Sequence, residues 1–196
     1  MLRRRLGHSG GVALHLRRPS VEHLERLLLA SRSTEVTYDA LGCSLGDVAP
    51  PGFTPRSWDT VLVGRASFER ARDALRDWAV HRGSGIALVA DGPLEVGTNA
   101  AMAAPLPLGW VDVTCRVVAV IDEEDSFGFA YGTLPVHPER GEESFVVTRR
   151  GDISIFTVTA VSRLSHPLAR LAPPVADRLQ SAATARYLRA MRTAAS

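Results

Sequence analysis

The sequence predicts an α+β domain in which a curved antiparallel β-sheet grips a long C-terminal helix, with an N-terminal helix and a proline-rich connector ahead of that body. Three observations carry the prediction. Strand-like alternation recurs in series between residues 85 and 161, with turn chemistry between the runs, as antiparallel neighbours require. Apolar residues at three- and four-residue spacing lie mainly before and after that series, so helices and strands are segregated. A chain of 196 residues, 45% hydrophobic and 22% charged, is also long enough to bury one substantial core. Residues 1–196 therefore read as a single domain, with a flexible lead-in over 1–17, a helix and connector over 18–57 and the body over 58–196.

The elements follow in order. The first 16 residues contain Gly7, Ser9, Gly10 and Gly11 without sustained periodicity, which predicts a loosely attached arm carrying Arg3, Arg4 and Arg5. Pro19 and Ser20 then open a short amphipathic helix. Ser20 is a suitable N-cap, Glu22 favours the first turn, and Val21, Leu24, Leu27 and Leu28 share one face until about Ser31 to Ser33. From Thr37 to Pro55, Gly42, Gly46, Pro50, Pro51 and Gly52 exclude regular structure and predict a connector draped over the surface. Phe53 and Trp58 would pin it to the body; Tyr38 is a loop anchor, which its setting favours, or a pocket residue. Trp58 to Val63 alternates as a strand. Ser67 caps a second helix whose stripe of Phe68, Ala71, Leu75, Trp78 and Ala79 runs up to Arg82, where Gly83 and Gly85 stop it. Trp78 on that stripe is either plain core or a cavity wall.

From Gly85 onward the pattern is strand. Ile86 to Val89 and Leu94 to Met102 flank the turn Asp91-Gly92-Pro93, and Pro105 and Pro107 break the chain. Val111, Val113, Cys115, Val117, Ala119 and Ile121 are expected on one buried face of a long strand. Glu123 to Ser126 reads as a solvated acidic hairpin tip. Phe127 to Leu134 and Glu143 to Thr148 are the next two strands, Arg149 to Asp152 is a hairpin turn, and Ile153 to Val161 is the last strand. Ser165 is a possible cap for the terminal helix, with Pro167 suited to its first turn. Leu168, Leu171, Val175, Leu179, Ala182, Tyr187, Leu188 and Met191 trace the apolar stripe, with the regular part beginning near Val175 because Pro173 and Pro174 interrupt it.

Composition excludes several classes. All 23 basic residues are arginine, but against 21 acidic residues they leave a net charge of +2, with no global basic field for nucleic acid. The longest apolar runs, such as Val117 to Ile121, fall far short of the roughly 18 residues of a membrane span, so no membrane insertion is expected. The N-terminus has glycines where a signal peptide needs its apolar stretch, which predicts a cytoplasmic protein. Cys43 and Cys115 read as reduced thiols, and no Cys-x-x-Cys pair offers a zinc site. His8, His15, His23, His81 and His166 show no paired metal spacing, so no metal ligand and no cofactor is assigned. There is no Gly-x-Ser-x-Gly, and Gly83-Ser84-Gly85 follows a helix and lacks the lysine of a phosphate loop.

The stretch from Phe127 to Phe145 is the least ordinary. Phe127, Phe129 and Tyr131 alternate with Gly128, Ala130 and Gly132, giving an aromatic face and a bare face that something must approach closely. His137, Glu139, Arg140, Glu142 and Glu143 follow. If His137, Glu142 and Tyr131 converge, they form a general acid–base cluster. Otherwise His137-Pro138 shapes a tight turn and Glu142 accepts from exposed turn amides.

These residues carry a resemblance. Tyr131-Gly132-Thr133-Leu134, His137-Pro138, Gly141-Glu142-Glu143, Phe145, Ser162-Arg163, Gln180 and Arg186-Tyr187-Leu188, preceded by Thr37-Tyr38, Gly42, Trp78 and His81-Arg82-Gly83, resemble the uncharacterised family DUF1990 in order and spacing. The match covers nearly the whole chain from about Arg18, and it singles out His81 for testing. The order of elements also resembles the helix-grip fold of the START and Bet v 1 superfamily, whose members commonly bind lipids, polyketides or other apolar molecules and in a minority are enzymes. The resemblance implies an apolar small-molecule ligand between sheet and C-terminal helix, with Tyr131, His137, Glu142, Phe129, Trp78 and Tyr38 as binding candidates. Two alternatives stand beside it: a cyclase- or hydrolase-type enzyme using His137, Glu142 and Tyr131, and a protein interaction module with a filled core.

Overall fold

One eight-stranded antiparallel sheet organises the chain, in a computed structural model that describes residues 12–46, 48–164 and 173–196. The elements are β1 (Leu14–His15), α1 (Val21–Ser31), β2 (Thr54–Val63), α2 (Ser67–Arg76), α3 (Ala79–Gly83), β3 (Ala87–Ala90), β4 (Asn99–Leu106), β5 (Gly109–Asp122), β6 (Ser126–Thr133), β7 (Glu139–Arg150), β8 (Ile153–Leu164) and α4 (Pro173–Ala195). The strand order is β2-β8-β7-β6-β5-β4-β3, with β1 joined to β5. Consecutive strands from β3 to β8 are hairpin neighbours, and β2 closes the far edge beside β8.

The curved sheet is covered on its inner face and over part of its outer face, where Val61 and Val63 of β2 stay exposed. On its inner face α2, α3 and α4 cover Phe127, Phe129, Tyr131, Phe145, Val147, Phe156 and Val158, which alternate along β6, β7 and β8. On the outer face α1 lays Leu24 and Leu28 onto Ala87, Ala101 and Ala103, where small side chains let the helix approach closely. The connector covers a further part, packing Tyr38 and Cys43 against Val161. Each large apolar side chain so buried contributes about 1.5–3 kcal/mol from removal of its surface from water.

Ser20 caps α1 as expected, its Oγ accepting from the His23 amide at 3.3 Å. Several boundaries differ from the sequence expectation, each for a physical reason. Leu14–His15 falls within the expected lead-in, yet pairs with Val111 and Trp110, and the Asp112 amide donates to the Ala13 carbonyl at 3.1 Å. β2 starts at Thr54, and it accommodates Pro55 because an edge strand has one unpaired side. β4 starts at Asn99, later than Leu94, because the Asp91 carboxylate takes the Asn99 amide at 2.8 Å and prolongs the turn. It then continues through Pro105, beyond the last residue paired with β3. The register of β5 shifts between Val117 and Ala119, a bulge that breaks the expected single face and turns Val120 toward the core. Pro173 and Pro174 stand in the first turn of α4, where a missing amide costs nothing, so they begin the helix. The Arg3 to Arg5 cluster, His8, Ser165, His166, Pro167, Leu168 and Leu171 lie outside the described residues.

The expected helix from Ser67 to Arg82 is two helices. It breaks at Trp78, whose φ of 56° is the one positive value among the described non-glycine residues. Ser67 is not a cap but a buried first-turn residue, its Oγ 3.0 Å from that of Ser154.

Candidate functional site

The inner face of β6 and β7 forms the floor of an aromatic box. Antiparallel register sets Phe129 opposite Phe145 and Tyr131 opposite Glu143, so these four side chains share one face. Trp78 and His81 from the broken helix, and Tyr187 from α4, form the roof. His81 lies with its ring centroid 4.7 Å from Phe145, 5.1 Å from Tyr187, 5.1 Å from Trp78 and 5.7 Å from Tyr131. Trp78 meets Phe129 edge-on at 5.1 Å. The left-handed backbone at Trp78 is what swings indole and imidazole over the same spot. For a bulky residue that conformation costs about 1–3 kcal/mol, which the surrounding packing has to over-determine.

The polar atoms of the box are its informative part. The Tyr131 hydroxyl donates to Glu143 Oε2 at 2.7 Å, and the Tyr187 hydroxyl adjoins it. Trp78 Nε1 and both ring nitrogens of His81 are buried with no hydrogen-bond partner among the described residues. Burial lowers the His81 pKa to about 3, with the neighbouring Arg82 charge adding to the effect, so its imidazole is neutral at pH 7 with one donor and one acceptor nitrogen. Burial raises Glu143 to about 7, against the pull of the Tyr131 hydrogen bond and with help from Glu139. Burial also holds the Tyr131 and Tyr187 phenols well above their usual range. The box therefore offers neutral donors, a neutral acceptor and one carboxyl group that titrates near neutrality, inside aromatic walls. Such a set can orient the polar end of an apolar molecule, and Glu143 has the pKa of a general acid or base.

The bare face of β6 is explained by the connector. A Cβ on Gly132 would stand 2.5 Å from the Tyr38 hydroxyl and 2.8 Å from its ring. Tyr38 donates to Glu142 Oε2 at 2.6 Å, the Gly42 amide to the same oxygen at 2.8 Å, and the Ser44 amide and hydroxyl to Oε1 at 2.9 and 2.6 Å. Glu142 is thus a saturated anchor for the connector, on the outer face.

The residues singled out in the sequence are separated accordingly. Tyr131, Phe129 and Trp78 meet in the box; Glu142 and Tyr38 meet on the opposite face of the sheet. His137 sits in the β6–β7 loop, where the Glu139 amide donates to its Nδ1 at 3.0 Å and desolvation pulls its pKa down. The trio His137, Glu142 and Tyr131 therefore does not share one cleft. Glu143 and Tyr187, absent from the expected set, stand where Glu142 was expected. Strand parity could have found Glu143, since it lies opposite Tyr131 once β7 is known to start at Glu139.

A second polar cluster was not legible from chain spacing. His15 and His23 both place Nε2 against Asp112 Oδ2, at 2.9 and 2.8 Å.

Comparison with known proteins places this architecture. The model of the DUF1990 family, described as a domain of unknown function, matches residues 37–190. The chain belongs to the DUF1990 family. A UPF0548 protein of Deinococcus radiodurans is 32% identical over 197 residues, covering 92% of this chain and 98% of that one. Among solved structures, TTHA0849 from Thermus thermophilus superposes with a TM-score of 0.58 at 13% identity, covering 72% of this DUF1990 chain and 97% of the other. A START superfamily protein from Mycobacterium smegmatis gives 0.54 at 12% identity, covering 72% and 96%. These likenesses show the fold of this DUF1990 protein: a curved antiparallel sheet gripping a long C-terminal helix, shared with the START superfamily protein. None of its described helices is long and apolar enough to cross a membrane.

Proposed function

We propose that this DUF1990 protein binds a small hydrophobic molecule, lipid- or polyketide-like in its apolar body, with a hydrogen-bonding end held in the aromatic box between the sheet and α4. One observation carries the reading. Trp78 Nε1 and the two His81 nitrogens are buried without partners, in a wall otherwise made of Phe129, Tyr131, Phe145 and Tyr187. A buried polar group left unpaired costs about 1–3 kcal/mol, and a ligand that pairs these three atoms would remove that cost. The fold supports the reading, since a helix laid across a curved sheet sets such a box between two layers. Tyr131 and Glu143 supply a further donor–acceptor pair at one side.

Native mass spectrometry of protein purified from its own host tests it. The expected result is a reproducible added mass that is missing from His81→Phe, while that variant unfolds at the same or a higher denaturant concentration because an unpaired buried polar group has gone. Bare mass in both proteins, after gentle purification and again after incubation with a lipid extract of the host, would refute the proposal.

A further inference from the structure

We infer that His15, His23 and Asp112 form a binding site for a divalent first-row transition metal ion of the zinc class, on the outer face of the sheet. Three segments remote in sequence build it. His15 ends β1, His23 stands in the first turn of α1, and Asp112 projects from β5 on the face opposite its core neighbours Val111 and Val113. The two imidazoles reach the same carboxylate oxygen at 2.9 and 2.8 Å, and the three ligand atoms all lie within 4.8 Å of one another. Their rings meet edge to face, 5.0 Å between centroids and 76° between planes, so both Nε2 atoms point inward without stacking.

Hydrogen bonding alone leaves this arrangement incomplete. Asp112 is 1% exposed, and its Oδ1 is buried with no partner among the described residues. A buried carboxylate normally satisfies both oxygens, whereas a metal ion on Oδ2, or bridging both oxygens, neutralises the group as a whole. Ligands about 2.0–2.1 Å from a metal stand roughly 3.0–3.4 Å apart, so the two N···O separations need to open by only a few tenths of an ångström. Each Nε2 that donates to Asp112 in the hydrogen-bonded triad presents a lone pair to the metal instead, so each ring binds as the tautomer whose proton sits on Nδ1. A His₂Asp donor set is borderline in softness and suits zinc, iron(II) or cobalt(II) better than calcium or magnesium, which prefer all-oxygen sites.

Three protein ligands leave coordination positions open, and those positions face outward. The histidine side chains are 27% and 30% exposed, so solvent and small molecules reach the site. An open position that solvent can reach is the arrangement of a metal that meets a ligand, in contrast to the closed four-ligand shell of a structural zinc.

The test uses the full chain, stripped with chelator and dialysed, and titrated with zinc by calorimetry and with cobalt(II) by visible absorption. The expected result is one equivalent bound, cobalt bands typical of four or five ligands, and a zinc-dependent rise in melting temperature. His23→Gln and Asp112→Asn, each checked for folding by circular dichroism, should weaken zinc binding at least tenfold and abolish that rise. Binding that is unchanged in both variants would assign the metal elsewhere. Failure of the wild-type chain to take up an equivalent of either ion would leave only a hydrogen-bonded triad. Either outcome overturns the inference.

Discussion

Glu143→Gln isolates the ionisation that burial has displaced most usefully. In the folded chain its carboxyl titrates at about 7, against 4.5 ordinarily. Between those values the folded state keeps a proton that the unfolded chain has released, so stability falls as pH rises, by about 1.4 kcal/mol per pH unit. Below the lower value both states are protonated and the effect is absent; above the upper one the penalty is complete, on the order of 3 kcal/mol. Glu143 retains some exposed surface, so solvent screening makes that figure the upper end. His81 acts in the opposite sense. Its pKa is lowered from 6.5 to about 3, so the unfolded chain takes the proton first, and the stability present above the upper value is lost as pH falls toward the lower. Where the windows overlap, the two slopes oppose each other. Gln keeps the shape and an oxygen for Tyr131 but has no proton to lose. Urea unfolding at several values from about pH 4 to pH 8 should give a difference, variant minus wild type, that climbs through that interval and levels off above neutrality. A difference that stays constant with pH, within about 0.5 kcal/mol, would mean that Glu143 ionises normally and that the box is wetter than its burial implies.

Two further substitutions probe the outer face. Glu142→Ala leaves the Tyr38 hydroxyl, the Gly42 and Ser44 amides and the Ser44 hydroxyl without their acceptor, and should cost about 3–5 kcal/mol in chemical denaturation, with earlier proteolysis in the connector. An unchanged midpoint would remove its role as anchor. Gly132→Ala drives a methyl group into Tyr38 and should cost about 1–3 kcal/mol; pairing it with Tyr38→Ala should recover part of that loss, and strict additivity in the cycle would place the strain elsewhere.

The fold was largely legible because its signals are local. Alternation in β6 and β8, the Gly151 turn at φ 63°, and the Ser20 cap are all written within a few residues of where they act. The break at Trp78 was hidden because an apolar stripe continues across it: periodicity describes faces and is silent on a single left-handed residue. The β5 bulge was hidden for the same reason, since Ala119 and Ile121 extend the alternation past the point where pairing shifts. At the site, Tyr131, Phe129 and Trp78 could be found from aromatic patterning, whereas Glu142 was chosen over Glu143 because β7 begins at Glu139, four residues before the expected start. His81 was visible only through family likeness. The cluster of His15, His23 and Asp112 joins residues 97 and 89 positions apart, beyond the reach of any spacing rule.

The consecutive carboxylates of β7 have a further consequence for how the chain finds its register. Glu142 is held by the connector on one side of the sheet, and Glu143 by Tyr131 on the other. A slip of β7 by one residue would exchange them, pressing Glu142 into aromatic walls and offering the connector a carboxylate at the wrong height. Apolar neighbours such as Val146 and Val147 would tolerate that exchange, being alike in size. The glutamates would not, so the pair acts as a two-pin key that admits one alignment of the central strands and rejects its nearest competitors during folding.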